Sequence, residues 1–319
     1  MYIDNRIDFI YINFEEGCCI NIQQLRVFVQ AARLSTLTEV AAELDLKQPT
    51  VSFHLKKLEE DLGLHLFHKQ MRQFQLTDAG QTLLPYAKRI CALMDESSRL
   101  MKEHREQGRG QLKIGASYTP ATYFLPPYLA SFQSGYENVV PLLTVKHAGA
   151  VMTLLREYQI DVAVVSLLHT DVEGLETIPL AEDELKLALP KTHPLASQAA
   201  ISVEDLKGQA FLLHEHGSTT RELADSWAKD NGLQWTIGME LGAIETIKES
   251  VKHGIGIGIL PWRSVMKEAA AGEIALRDLP GQVKQRQICL AYRKEEVMAY
   301  QVRTFIQFMK LSCLPAAEA

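Results

Sequence analysis

The sequence predicts a mixed architecture: a small all-α head, one long helix after it, and a two-lobed α/β remainder. Three observations predict it. Apolar residues recur at helical spacing from Ile22 to Leu62. Residues 78 to 107 carry a sustained 3.5-residue apolar repeat. From residue 111, strand-like and helix-like runs alternate, which implies mostly parallel sheets. A chain of 319 residues is about twice a typical domain, so two or more cores are expected. With 47% hydrophobic and 23% charged residues, a disordered or fibrous chain is excluded. Cys18, Cys19, Cys91, Cys289 and Cys313 are too few and too scattered for a disulfide scaffold. No apolar run approaches the roughly 18 residues of a transmembrane helix, so no membrane partner is expected.

Residues 1 to 20 fit nothing downstream. They hold one basic residue against four acidic ones and lack the clean apolar core of a secretory signal. They are expected to be a disordered extension or a translated, non-native leader, because Glu15-Glu16-Gly17 can be encoded by a purine-rich stretch like a ribosome-binding site. With no signal and with reduced cysteines, the cytoplasm is the expected compartment.

The head spans 21–77. Leu25, Phe28, Val29 and Ala32 place one apolar face on a first helix. Ser35 or Thr36 offers an N-cap to a second helix carrying Val40, Ala41 and Leu44. After a break at Asp45-Leu46-Lys47, a third helix runs from about Pro49 through Val51, Leu55 and Leu58 to Gly63. Two short helices joined by a tight break, the second with a polar outer face, describe a helix-turn-helix. The outer side displays Gln48, Thr50, Ser52, Phe53, His54, Lys56 and Lys57. Glutamine can contact adenine in bidentate fashion, hydroxyls reach bases or phosphates, and lysine attracts phosphate. Residues 66–76 read as a short basic hairpin, a wing able to lie along the DNA backbone.

The ordered set Ala41-Ala42, Leu44, Gln48-Pro49-Thr50-Val51-Ser52, Leu55, Leu58-Glu59, Leu62-Gly63, Leu66-Phe67, Arg72 and Leu76-Thr77-Asp78-Ala79-Gly80 resembles the winged helix-turn-helix of LysR-type transcriptional regulators. The resemblance is dense over 22–80 and looser to about 310. It implies double-stranded operator DNA as a partner, with Lys47, Gln48, Pro49, Thr50, Ser52, Phe53, His54, Lys56, Lys69 and Arg72 at the DNA. Lys47 stands where the family usually has Ser, Lys69 where it commonly has Arg, and Met71 where it has a small turn residue.

Thr77 caps the long helix, 78–108. Leu83, Ala87, Ile90, Met94, Ser97, Met101 and His104 fall at alternating steps of four and three, a coiled-coil seam. The resemblance makes this helix the dimer contact, with a dimer of dimers as the usual assembly and RNA polymerase as a further partner. Two half-sites multiply the weak affinity of one head.

Beyond Gly108-Arg109-Gly110, strand-like runs lie at 111–115, 141–146, 162–166, 186–189, 210–213, 238–241, 255–260 and 287–292. Helical runs lie at 120–134, 149–158, 219–231, 243–253, 261–271 and 298–310. In such sheets ligands gather at strand carboxyl ends near helix N-termini. Ala116-Ser117-Tyr118-Thr119-Pro120 and His214-Glu215-His216-Gly217-Ser218-Thr219-Thr220-Arg221 have that form. This half resembles the LysR-type effector domain, itself of periplasmic-binding-protein type. One lobe is 111–168 with 285–312, and the other is 169–284. The resemblance puts Ser117, Tyr118, Thr119, His147, Gly149, Ser166, Ser218 and Thr219 at the effector, a small-molecule co-inducer. His147-Ala148-Gly149-Ala150 replaces the hydroxyl residue that the family often places after the second strand.

Other chemistries find little support. Gly254 to Gly258 lacks the lysine of a phosphate loop and suits close strand packing. His214 and His216 have no third ligand at metal spacing, and no cofactor is expected. No cysteine lies between Cys91 and Cys289, so no sensing disulfide is expected within the ligand lobes. No nucleophile elbow or Ser/His/Asp order supports an enzyme. A plain solute receptor is opposed by residues 22–80 and by the missing signal. The net charge of -6 at first argues against nucleic acid, but it divides unevenly. Residues 21–110 hold 13 basic and 11 acidic side chains, against 19 and 24 in 111–319. The acidity therefore sits outside the head and its linker helix, whose modest excess makes dimerisation a requirement.

Overall fold

The computed structural model describes residues 12–14, 18–34, 36–68, 75–105, 110–281, 283, 286–294 and 298–313. They fall into two compact units, 1–105 and 106–319.

In the first unit, β1 (Ile12–Phe14) and β2 (Cys18–Ile20) pair antiparallel. Ile20 is buried in the core of the head. The organised module therefore begins earlier than the expected boundary after residue 20, because this apolar side chain completes the cluster around Leu25 and Phe28. Helix α1 (Ile22–Arg33) starts in a capping box: Gln24 N donates to Asn21 Oδ1 at 2.9 Å and Asn21 N to Gln24 Oε1 at 2.7 Å. Helix α2 (Leu37–Glu43) has the same device in Thr36 and Glu39, which resolves the choice of cap between Ser35 and Thr36. The turn passes through Asp45 at φ 52°, a left-handed conformation that aspartate tolerates better than most residues.

Helix α3 (Gln48–Leu62) carries Pro49 in its first turn, buries Val51, Leu55 and Leu58, and stops at Gly63 with φ 65°. Its Glu59 carboxylate accepts from Leu66 N at 2.7 Å and Phe67 N at 3.3 Å, anchoring the base of the wing. Phe67 and Leu76 form an antiparallel bridge there, and His68 N donates to Gln75 O at 2.9 Å. The predicted wing residues Lys69 and Arg72 lie outside the described residues.

Helix α4 (Asp78–Arg105) begins where Gly80 N donates to Thr77 Oγ1 at 3.1 Å. Only glycine fits at position 80, since a Cβ there would meet Leu66 O at 2.3 Å. The predicted seam divides. Leu83, Ala87 and Ile90 pack on the head's own core, and Arg26 bridges to Asp95 at 2.6 Å. Farther along, Leu93 stands exposed and Met101 is 62% exposed.

The second unit runs β3 (Gly110–Ala116), α5 (Tyr118–Tyr123), α6 (Leu125–Gly135), β4 (Val139–Val145), α7 (Ala148–Arg156), β5 (Val162–Leu167), β6 (Leu175–Glu182), β7 (Leu185–Pro190), β8 (Ala210–His214), α8 (Thr219–Asp230), β9 (Thr236–Leu241), α9 (Ile244–Lys252), β10 (Ile257–Pro261), α10 (Trp262–Ala270), β11 (Ile274–Asp278), β12 (Gln287–Arg293) and α11 (Tyr300–Cys313). The single helix expected over 120–134 is two, because Pro126 and Pro127 open a new helix after Phe124. One sheet has the order β4-β3-β5-β12-β6 and the other β11-β7-β10-β8-β9. Each is covered by helices on both faces, with cores around Phe132 and Leu155 in the first and Phe211 and Ile247 in the second.

Two expectations are corrected. Strand β6 pairs with β12 in the first sheet, so the crossing to the second lobe falls after Glu182 and not at 168. The strand was illegible because Pro179 interrupts it, and Pro is tolerated here on an edge strand beside a register shift. The sheets are also less parallel than expected. Strands β3, β4 and β5 run parallel, as do β8, β9 and β10, but β12 and β7 run antiparallel to their neighbours. The cause is the double crossing. The chain leaves and re-enters the first sheet at one end, where Asp183 N donates to Arg286 O at 3.0 Å, so the returning strand must run the other way. The glycine-rich run serves packing: a Cβ on Gly256 would meet Ala210 O at 2.4 Å.

Candidate functional sites: the head surface and the interlobe cleft

On the head, Lys47, Gln48, Pro49, Ser52, Phe53 and Lys56 are exposed, while Thr50 and His54 are half-buried. Phe53 is 63% exposed, an unusual position for a large aromatic ring on a polar helix face. Lys57 pairs with Asp61 at 2.8 Å, which neutralises its charge locally. Burial lowers the His54 pKa, so this ring brings no cation to the surface at neutral pH. Lys47 holds the N-cap position without a side-chain cap bond. A cation at that end opposes the helix dipole and costs helix stability, while it strengthens the attraction for a phosphate.

In the second unit, the strand ends converge on a cavity of about 40 Å³ between the two sheets. Strand β3 delivers Ser117, Tyr118 and Thr119; β5 delivers Ser166; and β8 leads into Ser218 and Thr219. His147 also lines the cavity, with its Nδ1 accepting from Ala150 N at 3.2 Å as the cap of α7. Seven of the eight sequence-predicted residues thus meet at one place. Gly149 does not: it is the second residue of α7 and lies outside the lining. The hydroxyls are partly committed. Ser117 Oγ accepts from Ser166 N at 3.2 Å, and Ser218 Oγ accepts from Arg221 N at 3.1 Å as the cap of α8. Each retains its own O–H to donate.

Residues missed from sequence complete the wall. Arg286 sits at the return crossing with its Nε 2.9 Å from Asp183 Oδ2 and its Nη1 3.2 Å from Thr220 Oγ1. Ser166 Oγ donates to the same Asp183 oxygen at 2.7 Å. His214 lines the cavity at the end of β8. Asp183 and Arg286 belong to no motif: the local signals were an Arg before a buried strand and an Asp between two Glu residues after a hidden one, whereas His214 opens a segment with the form of a strand end leading into a helix. Beside the cleft, the Tyr123 hydroxyl donates to Glu245, and Arg263 lies 5.5 Å from the Phe124 ring, so the lobes touch through polar and cation–π contacts.

Burial lowers the His214 pKa more than Glu215 raises it. Below about pH 6.5 the unfolded chain takes up a proton here that the native site refuses. Stability is therefore expected to fall as pH drops from about 6.5 toward the lower folded value, and a His214→Asn variant should lose less across that interval. Thermal unfolding at pH 7 and pH 5.5 checks this; parallel losses in both proteins would refute it.

Comparison with known proteins identifies the family of both units. Residues 22–81 match the bacterial regulatory helix-turn-helix protein, lysR family, and residues 105–313 match the LysR substrate binding domain. The RuBisCO operon transcriptional regulator of Allochromatium vinosum is 28% identical over 290 residues, covering 91% of this chain and 95% of its own. Among solved structures, full-length CbnR complexed with its target DNA superposes with a TM-score of 0.65 at 22% identity, covering 91% of this chain and 99% of that one. The regulatory domain of CcmR from Synechocystis PCC6803, in complex with 2-PG, gives a TM-score of 0.59 at 23% identity, covering 65% of this chain and 98% of that one. Among the described residues, no helix is long and apolar enough to cross a membrane. With a lysR-family head on 22–81 and a LysR substrate-binding domain on 105–313, the chain belongs to the LysR-type transcriptional regulators.

Proposed function

We propose that this regulator binds a dyad operator through α3 and its wing, and that a small metabolite held between the two effector lobes modulates that binding. The observation that carries it is the cavity where both lobes present hydroxyls at strand ends and helix starts. The ligand acts by binding one lobe arrangement better than another, since only differential affinity shifts an equilibrium. Two chains pair through the distal part of α4, where Leu93 and Met101 stay uncovered within one chain, and pairs assemble further into a dimer of dimers. The protein works in the cytoplasm with RNA polymerase as its partner on DNA, needs no cofactor and turns over no substrate. The complexes of CbnR with target DNA and of CcmR with 2-PG are the relatives' counterparts of the two binding events.

Gel shift on the DNA upstream of its own gene tests the head. Gln48→Ala and Ser52→Ala are each expected to weaken binding by about 1–3 kcal/mol per lost base contact. Unchanged affinity in both variants would remove α3 from the base-reading role.

A further inference from the structure

The cavity between the lobes has a definite charge character. None of its described lining residues is acidic, and one, Arg286, carries a guanidinium. Arg286 is 2% exposed; its Nε and Nη1 are engaged, but its Nη2 reaches no acceptor among the described residues. His214, also lining the cavity and buried, has an Nδ1 with no partner among the described residues. Native proteins leave few buried polar groups unpaired, so two beside one cavity mark places for a ligand's atoms. Helices α7 and α8 also begin on its rim, at His147 and Ser218, and helix starts favour negative charge. The cavity's 40 Å³ is room for about three water-sized centres, at roughly 10–15 Å³ each.

We infer that the effector is a compact oxyanion, either inorganic or a carboxylic acid of a few carbons. One oxygen accepts from Arg286 Nη2 and another from His214 Nδ1–H, while the Ser117 and Ser218 hydroxyls donate to the rest. The inference rests on the cleft reading proposed above and narrows its ligand. It assigns Arg286 as the anion anchor and Asp183 as the residue that positions it.

The test uses the full chain and thermal shift with sulfate, phosphate and glycolate at roughly 10 mM, against glycerol and glucose as neutral probes and sodium chloride at matched ionic strength. Sulfate and phosphate stabilise most proteins by exclusion from their surface, so binding is read as the difference between the wild type and a cleft-blocking Ser218→Trp variant. At least one oxyanion is expected to raise the melting temperature in the wild type only. The inorganic and organic arms separate the two sources. Arg286→Lys keeps the charge beside Asp183 but removes the Nη2 donor, and it should weaken that oxyanion about tenfold. If Arg286→Lys fails to fold, Ser218→Ala replaces it, with a loss of a few-fold expected. No oxyanion shift beyond that of Ser218→Trp overturns the assignment. A shift by glycerol or glucose that Ser218→Trp abolishes overturns it too, while leaving the cleft reading intact. An oxyanion shift that Arg286→Lys leaves unchanged removes Arg286 as the anchor. Oxyanion binding equally strong in wild type and Ser218→Trp, above the chloride control, overturns the cleft as the site.

Discussion

Replacing Asp183 by alanine is expected to destabilise the effector unit by about 3–5 kcal/mol, the range for breaking a buried ion pair from one side. Asp183 is 0% exposed and Arg286 2% exposed. Their 2.9 Å contact ties the two crossings between the lobes, and Ser166 Oγ donates to the same carboxylate oxygen at 2.7 Å. Alanine would leave the guanidinium buried without a counter-charge and remove Ser166's acceptor. The penalty comes from the uncompensated charge rather than from the pair's own worth. The double variant Asp183→Leu with Arg286→Met should therefore recover most of the loss. Urea unfolding followed by tryptophan fluorescence reads this unit alone, since Trp227, Trp235 and Trp262 all lie in it. A cost below about 1 kcal/mol for the single variant would mean that the pair is solvated and that its burial has been misjudged.

The second large effect concerns the head. Phe28→Ala should cost about 3–5 kcal/mol of head stability and abolish operator binding. The Phe28 ring is fully buried and meets Phe67 edge-on with centroids 5.6 Å apart. Phe67 in turn forms the bridge with Leu76 at the base of the wing. Deleting the ring empties the core and loosens the wing together, so the loss of DNA binding should exceed what a surface substitution produces. The effector unit has its own cores and should unfold as before. Circular dichroism reads the helices of both units and fluorescence the effector unit alone, so a helical transition that precedes the fluorescence transition reports the head. A Phe28→Ala protein whose helical transition stays in place would contradict the assigned packing.

The legible parts of this chain are those governed by local rules. The helices of the head announce themselves by caps, by Pro49 in a first turn and by Gly63 beyond the end of α3. The exposed face of α3 follows from the same periodicity. Ser117, Thr119, Ser218 and Thr219 follow a strand-like run or open a helix, Ser166 closes such a run, and the resemblance to the LysR-type effector domain put all five at the effector. In alternating α/β chains those positions collect at one end of the sheet.

What failed was non-local. Strand β6 hides behind Pro179, and its identity comes from pairing with β12, about a hundred residues away in the chain. The strand directions of β7 and β12 depend on which end of a sheet the chain re-enters. The N-terminal part of the α4 seam looks made for a partner chain, yet Leu83, Ala87 and Ile90 cover the head itself. A heptad pattern states that a face is apolar and is silent on what buries it.

The chain thus pointed to the family through the ordered match of 22–80 to the LysR-type head, and to the order of modules, the exposed face of α3 and most of the hydroxyls at the cleft because capping, periodicity and turn chemistry act within a few residues. The tertiary structure alone decided the lobe boundary at Glu182, the pairing of Asp183 with Arg286 and the presence of His214 in the cavity wall. Those depend on bringing 183, 214 and 286 together across two crossings. A buried charge has a meaning only through the partner that the fold sets beside it.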